Sequence, residues 1–132
     1  MNRASEEFDK ELLFKALADR TRLRIINLIG RGEICVCFFV EVLQVRQSAI
    51  SRHLAYLRKA RIVEGRRDGK WVHYRIAHLP DRDSAHVFDE VLAWLARDRE
   101  MKRDRERFLH LCGSPQVPIQ LQGAPRPSSL SI

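Results

Sequence analysis

This 132-residue chain has no run of about 18 consecutive apolar residues, the minimum for a helix that crosses a bilayer, so no helical membrane span is expected. Its first ten residues, MNRASEEFDK, lack the apolar stretch of a secretory signal. The expected compartment is therefore the cytoplasm, with no membrane partner. Only three cysteines occur, and a reducing compartment keeps them as thiols. Any close pair of them is then better suited to ion binding or redox chemistry than to a structural bridge. There is no glycine-rich phosphate loop and no nucleophile–base–acid set, and the carboxylates fall mostly on expected helix surfaces. These absences argue against an enzyme.

What is present is ordinary in bulk, 45% hydrophobic and 31% charged, and uneven in distribution. The segment Arg46 to Arg75, RQSAISRHLAYLRKARIVEGRRDGKWVHYR, carries a net +7, which is the net charge of the whole chain. Everything outside it sums to zero. A basic block of this kind, in a chain of pI near 9.9, is the electrostatic footprint of a nucleic-acid binder.

Residues 1–112 read as one domain and residues 113–132 as a flexible tail, where four of the five prolines lie with a single charge, Arg126. A first helix is expected from about Glu6 to Ala18, with Phe8, Leu12 and Ala16 at helical spacing. Asp19 or Thr21 can cap a second, largely buried helix that Gly30 ends. A short third helix spans Phe38 to Leu43. Ser48 is a credible cap for a fourth that reaches Ala60, with Ile50, Leu54 and Leu57 facing inward. Ile62-Val63 and Trp71 to Ile76 read as strands around a turn at Gly69. One long helix is expected from Asp83 to Leu111, its second half a solvated charged face with pairs such as Asp98 and Lys102. The fold class is thus mainly α with a small β-hairpin wing. The apolar residues are spread over short helices, which makes a homodimer with a shared terminal-helix core plausible on burial grounds.

A helix that enters the major groove carries short polar side chains near its start, where the groove wall is close. Gln47, Ser48, Ser51 and Arg52 supply them, with His53 beside. Gln suits adenine, Arg suits guanine, and Ser reaches a base edge or a phosphate. Arg66, Arg67 and Lys70 lie on the wing, where phosphate or minor-groove contact is the usual role. A buried histidine is an equal reading for His53.

The segments LADRTRLRIINLI, EICVC, QSAISRHLAYLRKARIV and GKWVHYRI together resemble the ArsR/SmtB family of metal-responsive repressors, closest to its arsenic-responsive branch. The likeness runs from about Leu12 to Trp94. It implies a winged helix-turn-helix homodimer paired through its first and last helices, bound to double-stranded operator DNA. It also implies that Ser48, Ser51 and His53 fall on the family's S-x-x-S-x-H-L recognition segment. Arg20 stands where the family often has proline, a substitution of small consequence at the first helical turn.

Cys35-Val36-Cys37, at the start of the third helix, can present two thiolates to one soft ion. Trivalent arsenic or antimony, As(III) or Sb(III), is the inducer that the resemblance implies. The arsenic repressors carry ELCVC and a further cysteine three positions on. Here that position is Val40, and Phe38 replaces a common aspartate. Cys112, near the end of the last helix, is the remaining candidate for a third sulfur, from the same or a second subunit. Two thiolates with water or a small cellular thiol are the alternative. His86 and Asp89 make one helical pair, without the second pair that a zinc site on the last helix would need. A thiol-redox or reactive-sulfur sensor of the same fold, and a DNA-binding protein without a ligand, also remain open.

Overall fold

The computed structural model describes residues 7–113 and 123–125. Six helices and three strands follow one another as α1 (Lys10–Leu17), α2 (Arg20–Ile29), β1 (Glu33–Cys35), α3 (Val36–Leu43), α4 (Gln47–Lys59), β2 (Val63–Asp68), β3 (Trp71–Ile76), α5 (Arg82–Ala96) and α6 (Arg99–Gly113) among the described residues. The fold is mainly helical with a small antiparallel sheet, as expected. Local chemistry sets most boundaries. Asp9, Asp19 and Asp81 each accept the backbone N–H three residues on, at 3.0, 3.0 and 2.6 Å, and so cap α1, α2 and α5.

Helix α4 begins with Arg46 at its cap and no side-chain capping bond, so Ser48 is an exposed residue of the first turn rather than the cap. Its inner stripe is the expected one, with Ile50, Leu54 and Leu57 buried. The wing is a hairpin in which Asp68 pairs with Trp71 around Gly69-Lys70. Gly69 takes φ +62, a backbone region that glycine enters without steric cost.

Two elements differ from expectation. Glu33–Cys35 forms a third strand, antiparallel to β3, so the sheet order is β1-β3-β2. A three-residue strand has too little sequence for a period-2 signal, and this one is fixed by its partner. The expected single helix from Asp83 to Leu111 is two helices. Asp98 accepts the N–H of Met101 at 3.1 Å and starts α6 afresh. Folding back buries Met101, Asp104 and Phe108, a stripe that a straight helix would leave in water. Asp98 is met by Arg20 at 3.0 Å rather than by Lys102, and Arg20 also meets Glu100 at 2.7 Å. The position expected to matter little therefore helps seat the last helix.

Helix α6 is fastened to α2 by a bidentate Arg24–Asp104 pair at 2.8 and 2.9 Å. Asn27 bridges beside it, donating to the Met101 carbonyl and accepting from Arg105. On its other side Phe108 meets Phe38 of α3 edge-on, with ring centroids 5.3 Å apart. The core fills the space between these helices and the inner sheet face, with Ile25, Ile26, Phe39, Ile50, Leu57 and Met101 at zero exposure. Most of the segment read as a flexible tail lies outside the described residues. Within it, Ala124 is buried, and Gly123 lies beside Trp71 of the wing.

Candidate nucleic-acid interface and cysteine pair

On α4 the polar residues Gln47, Ser48, Ser51 and Arg52 are all exposed, on the side away from the core stripe. His53, by contrast, is half-buried. Its Nδ1 lies 3.3 Å from Arg22 Nη1, and a guanidinium can only donate, so the ring accepts at Nδ1. Arg22 also donates to the carbonyls of Ala16 and Lys15, and its guanidinium stacks 4.2 Å over the Tyr56 ring. His53 thereby ties α4 to the junction of α1 and α2. Burial holds its pKa below the ordinary histidine value, with Arg22 and Arg52 adding to the effect and Asp19 opposing it.

On the wing, Arg66, Arg67 and Lys70 are exposed. Arg66 is engaged at both ends of its fork by Glu33, at 2.7 and 3.2 Å, and Arg75 is paired with Glu64. Lys70 lies with Nζ 5.0 Å over the Trp71 ring. Arg66 therefore brings its charge already paired, whereas Arg67 and Lys70 form no ion pair among the described residues.

Cys35 ends β1 and stands at the cap of α3, and Cys37 lies in that helix's first turn. The strand-to-helix bend brings their sulfurs to 3.3 Å, with the Cys37 thiol donating to Cys35. That bond is the largest cause of a Cys35 pKa lowered to about 6. Burial opposes it, and the N–H groups of Cys37 and Val72 and the His73 ring reinforce it. Cys37 moves the other way, because it gives its proton to the bond and then shares the burial and the charge of Cys35. Cys35 thus gives up its proton more readily than a free thiol, and Cys37 holds its own more tightly.

The pair lines an open cleft of about 480 Å³ between α3, α4 and β3. Gln47 and Ser51 of α4 and Lys70 of the wing line the same cleft, as does Val40. Phe38 is buried against Phe108, so the residue in the usual aspartate position is an anchor for α3. Cys112 sits half-buried in the last turn of α6. Among the described residues no three His, Cys, Asp or Glu side chains gather, so one chain does not bring Cys112 to both Cys35 and Cys37. Asp89 is met by Arg31 at 3.6 Å.

His73 escaped the sequence reading. It is the β3 residue paired with Cys35, only 6% exposed, and its Nε2 is 3.5 Å from Asp68. The signal lies in the β1–β3 register, which becomes visible only once the three-residue strand is known.

Residues 19–65 match the family model described as bacterial regulatory protein, arsR family. That stretch runs from the α2 cap to the beginning of the wing. The chain is 53% identical over 113 residues to the arsenic resistance transcriptional regulator ArsR1 of Pseudomonas putida, across 82% of this chain and 84% of that protein. The chain belongs to the ArsR family. It is also 45% identical over 92 residues to the arsenical resistance operon repressor of Escherichia coli, across 68% of this chain and 76% of the relative.

Among solved ArsR-like folds, HlyU from Vibrio cholerae matches with a TM-score of 0.55 at 27% identity, covering 70% of this chain and 99% of that one. A homodimeric winged helix-turn-helix DNA-binding domain from Mycobacterium bovis matches with a TM-score of 0.56 at 29% identity, covering 75% and 94%. The fold is the winged helix-turn-helix, with α4 as recognition helix and β2–β3 as wing. This ArsR-family chain is a DNA-binding transcriptional repressor, and the family is one of regulators rather than enzymes. No helix among the described residues is long and apolar enough to cross a membrane.

Proposed function

We propose that this repressor binds an operator as a homodimer and releases it when As(III) or Sb(III) is captured by Cys35 and Cys37. The observation that carries this reading is the shared cleft. The two sulfurs line the same hollow as Gln47 and Ser51 of the recognition helix and Lys70 of the wing. An ion bonded there draws the start of α3 towards a new geometry, and α3 abuts α4. The reading head then leaves its DNA-competent position. A coupling of about 1–3 kcal/mol, the usual size of allosteric linkage, lowers operator affinity enough to open a promoter. The relatives' names, which refer to arsenical resistance, support the choice of inducer.

In the complex, Gln47, Ser48, Ser51 and Arg52 reach base edges in the major groove, while Arg66, Arg67 and Lys70 meet phosphates. His53 acts by holding α4 in place. The dimer forms through α1 and α5, where Phe14 and Trp94 are 56% and 71% exposed around a groove of about 360 Å³. Cys112, on a helix next to α3, is a third sulfur only if a second subunit or a movement of α6 delivers it.

The test is fluorescence anisotropy of reduced protein on labelled DNA from upstream of its own gene, titrated with arsenite. Release by low arsenite, lost in the Cys35→Ser/Cys37→Ser protein while DNA binding persists, is the expected result. Arsenite release that survives the double substitution would sink the mechanism. A second reading has one observation in its favour, the 3.3 Å between the Cys35 and Cys37 sulfurs. Hydrogen peroxide can oxidise such a pair to a disulfide while being reduced to two waters. Release by peroxide and not by arsenite would select it.

A further inference from the structure

We infer that the cleft beside Cys35 and Cys37 admits a low-molecular-weight thiol bearing carboxylates, whose sulfur completes the arsenic site and whose carboxylates meet Arg58 and Lys70. The inference rests on the arsenic reading above and specifies what the site binds.

Trivalent arsenic bonded to sulfur is pyramidal and is held most tightly by three sulfurs, and the chain offers two within one subunit. Val40 lies one turn beyond Cys37 on the same cleft wall and presents methyl groups where a third sulfur would be needed. Cys112 is not gathered with the pair, and the His73 ring is turned towards Asp68. Within one subunit, the route left for a third sulfur is the cleft mouth. At about 480 Å³, the hollow has the volume of pockets that hold molecules the size of a tripeptide.

Its charge selects the class of thiol. Arg58 and Lys70 line the cleft, both exposed, and no carboxylate is among its lining residues. Among the described residues neither cation forms an ion pair, in contrast to Arg66 and Arg75 on the same wing. An anionic thiol finds two open charge partners there, and a cationic one finds repulsion. Gln47 and Ser51 add hydrogen-bonding groups on the α4 side.

The exchange balances without any redox partner. Arsenous acid loses three As–O bonds and gains three As–S bonds, to Cys35, Cys37 and the incoming thiol. Three waters leave. Their protons come from the Cys35, Cys37 and incoming thiols. Arsenic stays trivalent throughout. The bound thiol then occupies Lys70 and crowds Gln47 and Ser51, so the inducer competes with DNA for the same groups as well as bending α3.

The experiment is native mass spectrometry of the full-length protein titrated with arsenite in glutathione, 2-mercaptoethanol or cysteamine, which are anionic, neutral and cationic thiols. The expected species is protein plus arsenic plus one glutathione. Half-saturation should come at roughly five- to tenfold less arsenite with glutathione than with cysteamine, the scale of one or two solvent-facing charge contacts. The Arg58→Glu/Lys70→Glu protein, checked for fold by circular dichroism, should reverse that order. An arsenic adduct with no thiol attached, or one indifferent to thiol charge, would overturn the inference and leave the arsenic reading standing. No arsenic adduct under any thiol overturns both.

Discussion

Cys35 and His73 are partners across the β1–β3 ladder, and the His73 Nε2 atom, buried and without a hydrogen-bond partner among the described residues, stands 3.5 Å from Asp68 at the wing tip. The histidine thus lies between the Cys35 sulfur and the turn of the wing. Its ring is one of the influences that lower the Cys35 pKa to about 6, after the Cys37 thiol, which is the largest.

The first prediction follows from that order. Thiolate absorbance near the ultraviolet edge should show one group titrating around pH 6 in the native protein, absent from Cys35→Ser. Cys37→Val removes the principal donor and should move the Cys35 midpoint well up, whereas His73→Phe should move it up less. The linkage sign also follows. The folded Cys35 pKa lies below the ordinary 9.0, so its contribution to stability grows as pH rises from about 6 to 9 and is lost as pH falls through 6. Cys37 has the opposite shift and subtracts above that window. A native pair that titrates together near 9 would contradict the 3.3 Å bond.

The second concerns His53. Its depressed pKa means that the unfolded chain binds a proton more readily, so folding stability should fall as pH drops below about 6.5. His53→Ala removes the Arg22 link and should cost about 1 kcal/mol of stability, with a loss of operator affinity that is similar for all sequences. Thermal melts and anisotropy on cognate and scrambled DNA measure both. A loss confined to one base-pair position would mean that His53 reads a base.

Recognition helix and wing were legible because each has a period and a charge pattern long enough to read. Thirteen residues of α4 repeat the Ile50, Leu54, Leu57 stripe, and Asp68-Gly69 marks its own turn. The break at Asp98 was hidden because Met101, Asp104 and Phe108 are scattered through a stretch that is otherwise almost wholly charged. Their burial depends on Arg24 and Phe38, far away in sequence. The cysteine motif was legible as chemistry, but its surroundings were not. The cleft depends on how β3 and α4 meet, and the His73 placement depends on a three-residue strand.

A third prediction tests that hidden packing. Asp104→Ala removes the bidentate partner of Arg24, itself only 17% exposed at its side chain, leaves it Glu100 at 3.7 Å, and should cost about 2 kcal/mol in thermal unfolding. Arg24→Met/Asp104→Leu together should recover most of the loss. If Asp104→Ala melts like the parent protein, α6 is not docked on α2.

The apolar face of α1 and α5 gives a fourth. Trp94→Glu puts a charge at the centre of the Phe14–Trp94 surface and should yield a folded monomer by sedimentation, with operator binding largely lost. A dimer that tolerates the substitution would move the interface elsewhere.

The last prediction inserts the missing sulfur. Val40 is half-buried, one helical turn after Cys37, and lines the cleft with both cysteines. Val40→Cys changes little volume in a wall that already faces an open hollow, so folding should be nearly unaffected. The variant would hold three thiols on one side of α3 and the adjoining strand end, a full pyramidal set for As(III). Arsenite should then bind without any added thiol, with the sulfur–arsenic absorption of three bonds. Dependence on glutathione should vanish, and so should any effect of charge at Arg58 and Lys70. In the parent protein the same absorption should appear only when a thiol is supplied. Equal arsenite affinity in the two proteins, with no thiol present, would show that the parent already finds its third ligand within the chain or the dimer, and attention would return to Cys112.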